Sequence, residues 1–177
     1  MRLTKLALVA GCTLASAVTA TAQQVTATMN AITAEGVGAP LGDVAIAATG
    51  QGATFTGALT GLPGGEHGFH VHANGDCGPG PNEQGEVVAG GAAGKHWDPA
   101  GTNAHRGPEG DGHLGDVAAF VANPDGTANI AATAPRIADV SQLRGKALMI
   151  HSGGDNYSDQ PKPDGGGGTR VACGVIR

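Results

Sequence analysis

All seven histidines of the chain fall between residues 67 and 151: His67, His70, His72, His96, His105, His113 and His151. Two of them sit in Gly68-Phe69-His70-Val71-His72, a stretch whose neighbours read as a β-strand. Residues two apart on a strand share a face, so His70 and His72 stand together while Phe69 and Val71 face the other way. Imidazole suits zinc and copper, and several nitrogen ligands suit copper(II) especially. His96, His105 and His113 are followed, three residues after His113, by Asp116. Three imidazoles and a carboxylate make a closed tetrahedral set, the pattern of structural zinc. That leaves His70, His72 and His151 for a second metal with coordination space to spare. The spacing thus suggests one closed site and one open, redox-capable site. It leaves open the partition itself and any ligand shared between the two. His67 lies on the Phe69/Val71 face and is expected to bond backbone and pack the site rather than to ligate.

The elements that must position these residues are strands. From Gln24 to Ile32, Val25, Ala27, Met29 and Ala31 alternate with polar residues, a half-buried strand. Further strands are expected over 44–49, 54–59, 68–73, 116–121, 128–132, 147–151 and 171–176. Asn123-Pro124-Asp125-Gly126 is a strong turn between two of them. No amphipathic helix and no internal repeat is evident. About eight short strands imply an all-β sandwich or flattened barrel. With 14% charged and 3% aromatic residues, the core must be built from Val, Ala, Ile and Leu. Two long segments, 74–115 and 152–169, lack strand alternation. Each follows a histidine-bearing strand, and segments of that length inside a compact domain are usually functional.

Residues 1–22 are expected to be a secretory signal peptide. Arg2 and Lys5 precede an apolar run, and Ala20-Thr21-Ala22 is a small-x-small cleavage pattern before Gln23. The run is a poor membrane span. A lipoprotein anchored at Cys12, within Val9-Ala10-Gly11-Cys12, is the lesser alternative. The destination is then the bacterial periplasm, with residues 23–177 as one domain. Losing Arg2 and Lys5 takes the formal charge from −5 to −7, which argues against nucleic-acid binding. Two cysteines remain, Cys77 and Cys173, and in an oxidising compartment a lone pair is most simply a disulfide.

Taken together, "GEHGFHVH" (65–72), "GDC" (75–77), "GKHWDP" (94–99), "GHLGD" (112–116), "IHSGGDNYSDQPKP" (150–163) and "GGGGTRVACGVI" (165–176) resemble the copper,zinc superoxide dismutases, particularly their secreted bacterial branch. The resemblance implies an eight-stranded antiparallel Greek-key fold with two long functional loops. It implies disproportionation of superoxide, with one copper and one zinc per chain. By motif, copper falls to His70, His72, His96 and His151, and zinc to His96, His105, His113 and Asp116. His96 is then the family's bridging histidine. In the family, the copper bond of that ring opens on reduction and the freed nitrogen takes a proton for the departing peroxide. Asp155 matches the carboxylate that links a copper-ligand histidine to a zinc-ligand histidine, here His70 and His105. Arg170 matches the active-site arginine. Cys77 and Cys173 match the intrasubunit disulfide. Trp97 could line the site, though packing or a subunit contact fits it better. Lys95 and Lys162 could steer anions or be plain solvated lysines. The partner is superoxide, with no nucleic acid and no membrane span, and the assembly is a homodimer or a monomer. A rival from another class is a secreted copper-binding module that buffers metal without turnover. A purely structural zinc sandwich would leave the open three-histidine group and Arg170 unexplained.

Overall fold

The computed structural model describes residues 23–82 and 84–177. The expected signal peptide, with Cys12, lies outside the described residues. Among the described residues ten strands occur, in the order β1 (Gln24–Thr33), β2 (Gly36–Thr49), β3 (Gly52–Leu59), β4 (Gly65–His72), β5 (Gly80–Pro81), β6 (Val87–Val88), β7 (Asp116–Ala122), β8 (Ala128–Ala134), β9 (Ala147–His151) and β10 (Arg170–Val175). Eight of them form one antiparallel sheet in the order β7-β4-β9-β10-β1-β2-β3-β8, and β5 pairs with β6 apart from it. The turn at Asn123-Pro124-Asp125-Gly126 joins β7 and β8, which pack side by side at the two ends of the sheet. The sheet thereby curls into a nearly closed barrel. The connections from β3 to β4 and from β8 to β9 cross over between non-neighbouring strands, which is the Greek-key feature.

The inner face carries the alternation read from sequence. Val25, Ala27 and Met29 of β1 meet Val44 and Ile46 of β2 in the core. Phe69 of β4 is fully buried, with edge-to-face rings to Phe55 at 5.6 Å and to Phe120 at 5.4 Å. Aromatic pairs of this geometry add to the stabilisation that burial alone supplies.

Two departures from the expected strands have physical causes. The β1–β2 register shifts between Met29 and Ile32, and a bulge of this kind reverses which face the next residue takes. Ile32 rather than Ala31 is buried as a result. Ile32 joins a second, smaller cluster with Cys77, Ala93, Ala147, Met149 and Cys173. The strand β2 also begins eight residues earlier than the alternation suggests. Its first half, Gly36–Asp43, is mostly exposed, so no buried face marks it in the sequence.

A disulfide joins Cys77 to Cys173 across a sequence separation of 96, with Cα atoms 5.6 Å apart. It ties the start of the long 74–115 segment to β10. That segment is not structureless. It contains β5, β6 and a short 3₁₀ turn at Gly91–Ala93.

Candidate metal centre

The strand β4 is buried on both faces. Phe69 and Val71 enter the core, and His70 and His72 turn outward under the two long loops. The first loop is stitched to the end of β4. Ala73 N–H donates to Lys95 O at 3.0 Å, Trp97 N–H to Val71 O at 2.8 Å and Val71 N–H to Gly115 O at 2.8 Å. His72 and His96 form an isolated bridge there. These backbone bonds carry His96 over His70, with ring centroids 4.0 Å apart. They also require a glycine at 115, because a Cβ there would run into Val71 O and sit 3.0 Å from Trp97 N.

Two groups of potential ligand atoms form. His70, His72, His96 and His151 bring one nitrogen each within 4.8 Å of one another, as do the ligand atoms of His96, His105, His113 and Asp116. His96 belongs to both. Its Nδ1 lies 3.1 Å from Asp116 Oδ1. His105 Nδ1 lies 3.1 Å from Asp116 Oδ2, and His113 Nδ1 3.4 Å from Asp116 Oδ1. On the other side His72 Nε2 and His151 Nε2 are 3.4 Å apart. Every residue in both groups is buried.

The donor set fits metal ions. His70 Nδ1, His105 Nδ1 and His113 Nδ1 are buried with no hydrogen-bond partner. The two that lie near Asp116 are close in distance but not aligned for a hydrogen bond. A buried polar atom left unpaired costs about 1–3 kcal/mol, and a cation at the convergence point relieves it. The protonation states of the first group agree. Burial, and then His96, push His70 down to about 3, against the opposing pull of Asp155. Burial also holds His72 and His151 well below the usual histidine range, with His96 and Arg170 adding to it at His72. Those rings are neutral, as metal ligands must be. Burial opposes ionisation of Asp116, yet the three histidines around it hold its carboxyl far below the usual range. His105 stands between two carboxylates. Despite burial, Asp116 and Asp155 raise it to about 10.

Asp155 bridges the groups from behind. Its Oδ1 accepts from His105 Nε2 at 2.7 Å and its Oδ2 from His70 Nε2 at 2.8 Å. These bonds fix both rings so that Nδ1 faces inward. Arg170 opposes His151 in the β10–β9 register. Its Nη1 and Nη2 donate to Gly90 O and Gly94 O, both at 2.6 Å, and Gly94 O also lies 2.9 Å from His72 Nδ1. The arginine is therefore clamped by backbone carbonyls beside the first group.

The chain matches the family described as copper/zinc superoxide dismutase (SODC) over residues 41–176. It belongs to the copper/zinc superoxide dismutase family. The chain is 56% identical over 149 residues to Superoxide dismutase [Cu-Zn] 2 of Salmonella typhimurium, covering 84% of this chain and 86% of the relative. The Cu/Zn superoxide dismutase from Brucella abortus superposes with a TM-score of 0.84 at 44% identity, over 88% of this chain and all of the other. The monomeric copper, zinc superoxide dismutase from Salmonella enterica superposes at 0.76 and 55% identity, over 88% of this chain and all of the other.

Within this copper/zinc superoxide dismutase fold, three residues that sequence reasoning did not single out hold the cluster in place. Arg136 donates to the carbonyls of Gly112 and His113 at 2.9 and 3.2 Å. Asp159 accepts from His105 N–H at 2.9 Å. Tyr157 packs on Gly107, and its hydroxyl accepts from Ala119 N–H of β7 at 3.1 Å. Each acts through a backbone group remote in sequence, so no local pattern marks it. Outside both groups, the His67 ring nitrogens face His151 O at 2.6 Å and Pro63 O at 2.7 Å. Trp97 is part of the core, with Lys146 Nζ 4.7 Å from its ring centroid. Lys162 lines an open cleft with Glu66 and Asn156 on the outer side of Asp155.

Proposed function

We propose that His70, His72, His96 and His151 hold copper and that His96, His105, His113 and Asp116 hold zinc, one of each per chain. The enzyme converts two superoxide anions and two protons to dioxygen and hydrogen peroxide. The observation that carries this assignment is His96, the single ring common to two four-ligand groups. When bound, copper supplies the one-electron couple, while zinc, which has no redox chemistry, supplies fixed charge and a closed tetrahedral anchor.

The chain's own residues do the rest. Asp155 fixes the tautomer of His70 and His105, an outer carboxylate that orients ligands and raises their basicity. His96 uses Nδ1 on the Asp116 side and holds or gives up a proton at Nε2, which places a general acid within reach of the product peroxide. Arg170 has five N–H groups, of which two are committed to the Gly90 and Gly94 carbonyls. The others can receive a small anion. The chain's net negative charge does not prevent this, because a focused local field governs encounter and can raise it by roughly tenfold to a thousandfold.

Residues 1–22 are a signal peptide, residues 23–177 the dismutase domain, and the destination the periplasm, where the Cys77–Cys173 disulfide is stable. No helix among the described residues is long and apolar enough to cross a membrane. Sedimentation of the mature chain distinguishes monomer from homodimer. The copper-buffer alternative is not favoured, since Arg170 stands beside an intact histidine group and the relatives are dismutases. The deciding experiment is metal analysis of the mature protein beside a superoxide-driven dye-reduction assay. One copper and one zinc per chain, with activity lost on copper removal, is the expected result. Copper bound without turnover contradicts it.

A further inference from the structure

We propose that Gly165 is a positioning residue: its bare backbone is the wall that presses the Asp155 carboxylate onto His105 and keeps water from that bond. The proposal rests on the assignment of His105 to zinc.

Gly165 lies in a short 3₁₀ turn at Asp164–Gly166, with φ +71° and ψ −1°. It is fastened to the turn that carries Asp155. Asn156 N–H donates to Gly165 O and Gly165 N–H to Ser158 O, both at 3.1 Å. A Cβ at residue 165 would run into Asp155 Oδ1, and would stand 2.7 Å from Asp155 Cγ and 2.8 Å from His105 Nε2. The glycine backbone therefore sits directly against the hydrogen bond itself. Asp155 cannot retreat from an added methyl. Its Oδ1 is also held by Tyr157 N–H at 2.8 Å and its Oδ2 by His70. The side chains of Asp155 and His105 are both 0% exposed. An open cleft lies outside them with Asp155, Asn156, Lys162, Gly165 and Gly166 in its wall, and the Gly165 backbone is the part of that wall set against the Asp155–His105 bond. A larger residue must displace the carboxylate or push the turn outward and wet the bond. In either case His105 loses the partner that aims its Nδ1.

The next residue supplies a matched control. Gly166 has φ +72°, the same left-handed conformation, but a Cβ there would meet only the flexible Lys162 side chain, at 3.7 Å from its Cβ and 4.0 Å from its Cδ. Alanine at either position carries the same backbone strain, and only Gly165→Ala adds the collision. The two variants therefore separate strain in the turn from contact with the Asp155–His105 pair.

The test measures zinc release from copper- and zinc-loaded protein to a chromophoric chelator, with cobalt substituted for zinc as a spectroscopic check on ligand geometry. Gly165→Ala should release zinc about 10–100-fold faster than wild type, the usual loss of metal affinity when an outer partner is removed appearing in the off-rate. Its cobalt d–d bands should shift. Gly166→Ala should keep the wild-type release rate and spectrum. In an Asp155→Ala background, release is already fast and Gly165→Ala should add nothing to it. That double variant should fold as well as Asp155→Ala combined with Gly166→Ala, so the proposal remains testable if Gly165→Ala alone does not fold. Equal release rates for Gly165→Ala and Gly166→Ala overturn the proposal, as does the same acceleration with Asp155 absent. A wild-type chain that takes up cobalt without a tetrahedral spectrum overturns the zinc assignment first, and the role of Gly165 with it.

Discussion

Removing the disulfide should cost more than any surface change, and its effect should reach the active site. Cys77 and Cys173 close a loop spanning 96 residues of sequence. On the chain-entropy account a loop of that length contributes about 4–5 kcal/mol. A folded domain of roughly 150 residues has an unfolding entropy near 0.3 kcal/mol per kelvin, so the melting temperature should fall by about 15 °C. The variant is Cys77→Ala/Cys173→Ala, because Cys173 is fully buried and serine would bury an extra hydroxyl there. Calorimetry on the metal-free protein keeps metal binding from masking the loss. A local effect should accompany the global one. The loop held by Cys77 supplies Gly90 O and Gly94 O, the two acceptors of Arg170. Amide exchange over residues 78–94 should therefore accelerate more than exchange in β1 or β2, and metal-loaded activity should drop at 25 °C. A melting temperature lowered by less than about 3 °C, or exchange that rises uniformly through the barrel, would show that the disulfide does not brace this loop.

Arg170→Glu should lower the dismutation rate more than tenfold at low ionic strength and flatten or invert its salt dependence, through reversal of the local field; unchanged rates with full metal content would refute the role. Arg170→Lys keeps the charge but loses the planar fork that spans two carbonyls, and should give an intermediate rate. Without zinc, His105 contributes stability that is full below its ordinary value of 6.5 and is lost as pH rises through about 10. His70 acts in the opposite sense. Its depressed value means stability is present above 6.5 and is lost as pH falls toward about 3. Urea titrations of the metal-free chain should therefore show stability falling on both sides of neutrality, and a flat profile from pH 4 to pH 10 would contradict the assignment. For the same reason zinc uptake at neutral pH should release at least one proton, from His105, whereas His70, His72 and His151 have none to release to copper. Calorimetry in buffers of different ionisation enthalpy reads that difference.

Part of the candidate site was legible because four of the candidate ligands, His70, His72, Asp116 and His151, lie on strands. The two-residue repeat of β4 places His70 and His72 on one face with no tertiary information. His151 ends a short apolar run, Ala147–Ile150, that reads as a strand buried on both faces, and Asp116 begins another strand. The loops were legible only as segments lacking alternation. Their internal order comes from backbone bonds to β4 and from glycines at close approaches, such as Gly115, and neither has a local signature. The bulge after Met29 reversed the face expected for Ala31 because register depends on the partner strand. Arg136 and Asp159 escaped notice for a related reason. Each satisfies a main-chain group more than 20 residues away, and an isolated charged residue in sequence looks the same whether it clamps a loop or faces solvent. The fold class survived these omissions because eight short strands in one domain, without a helix to cross over, admit few topologies.

One imidazole, His96, should serve two metal ions held by otherwise separate ligands. A crystal structure of the oxidised mature protein loaded with one copper and one zinc, with anomalous data at both absorption edges, tests it most directly. Copper should lie among His70, His72, His96 and His151, zinc among His96, His105, His113 and Asp116, and the two ions on opposite nitrogens of the His96 ring. Metals bound elsewhere, or a His96 ring that contacts only one ion, would contradict it.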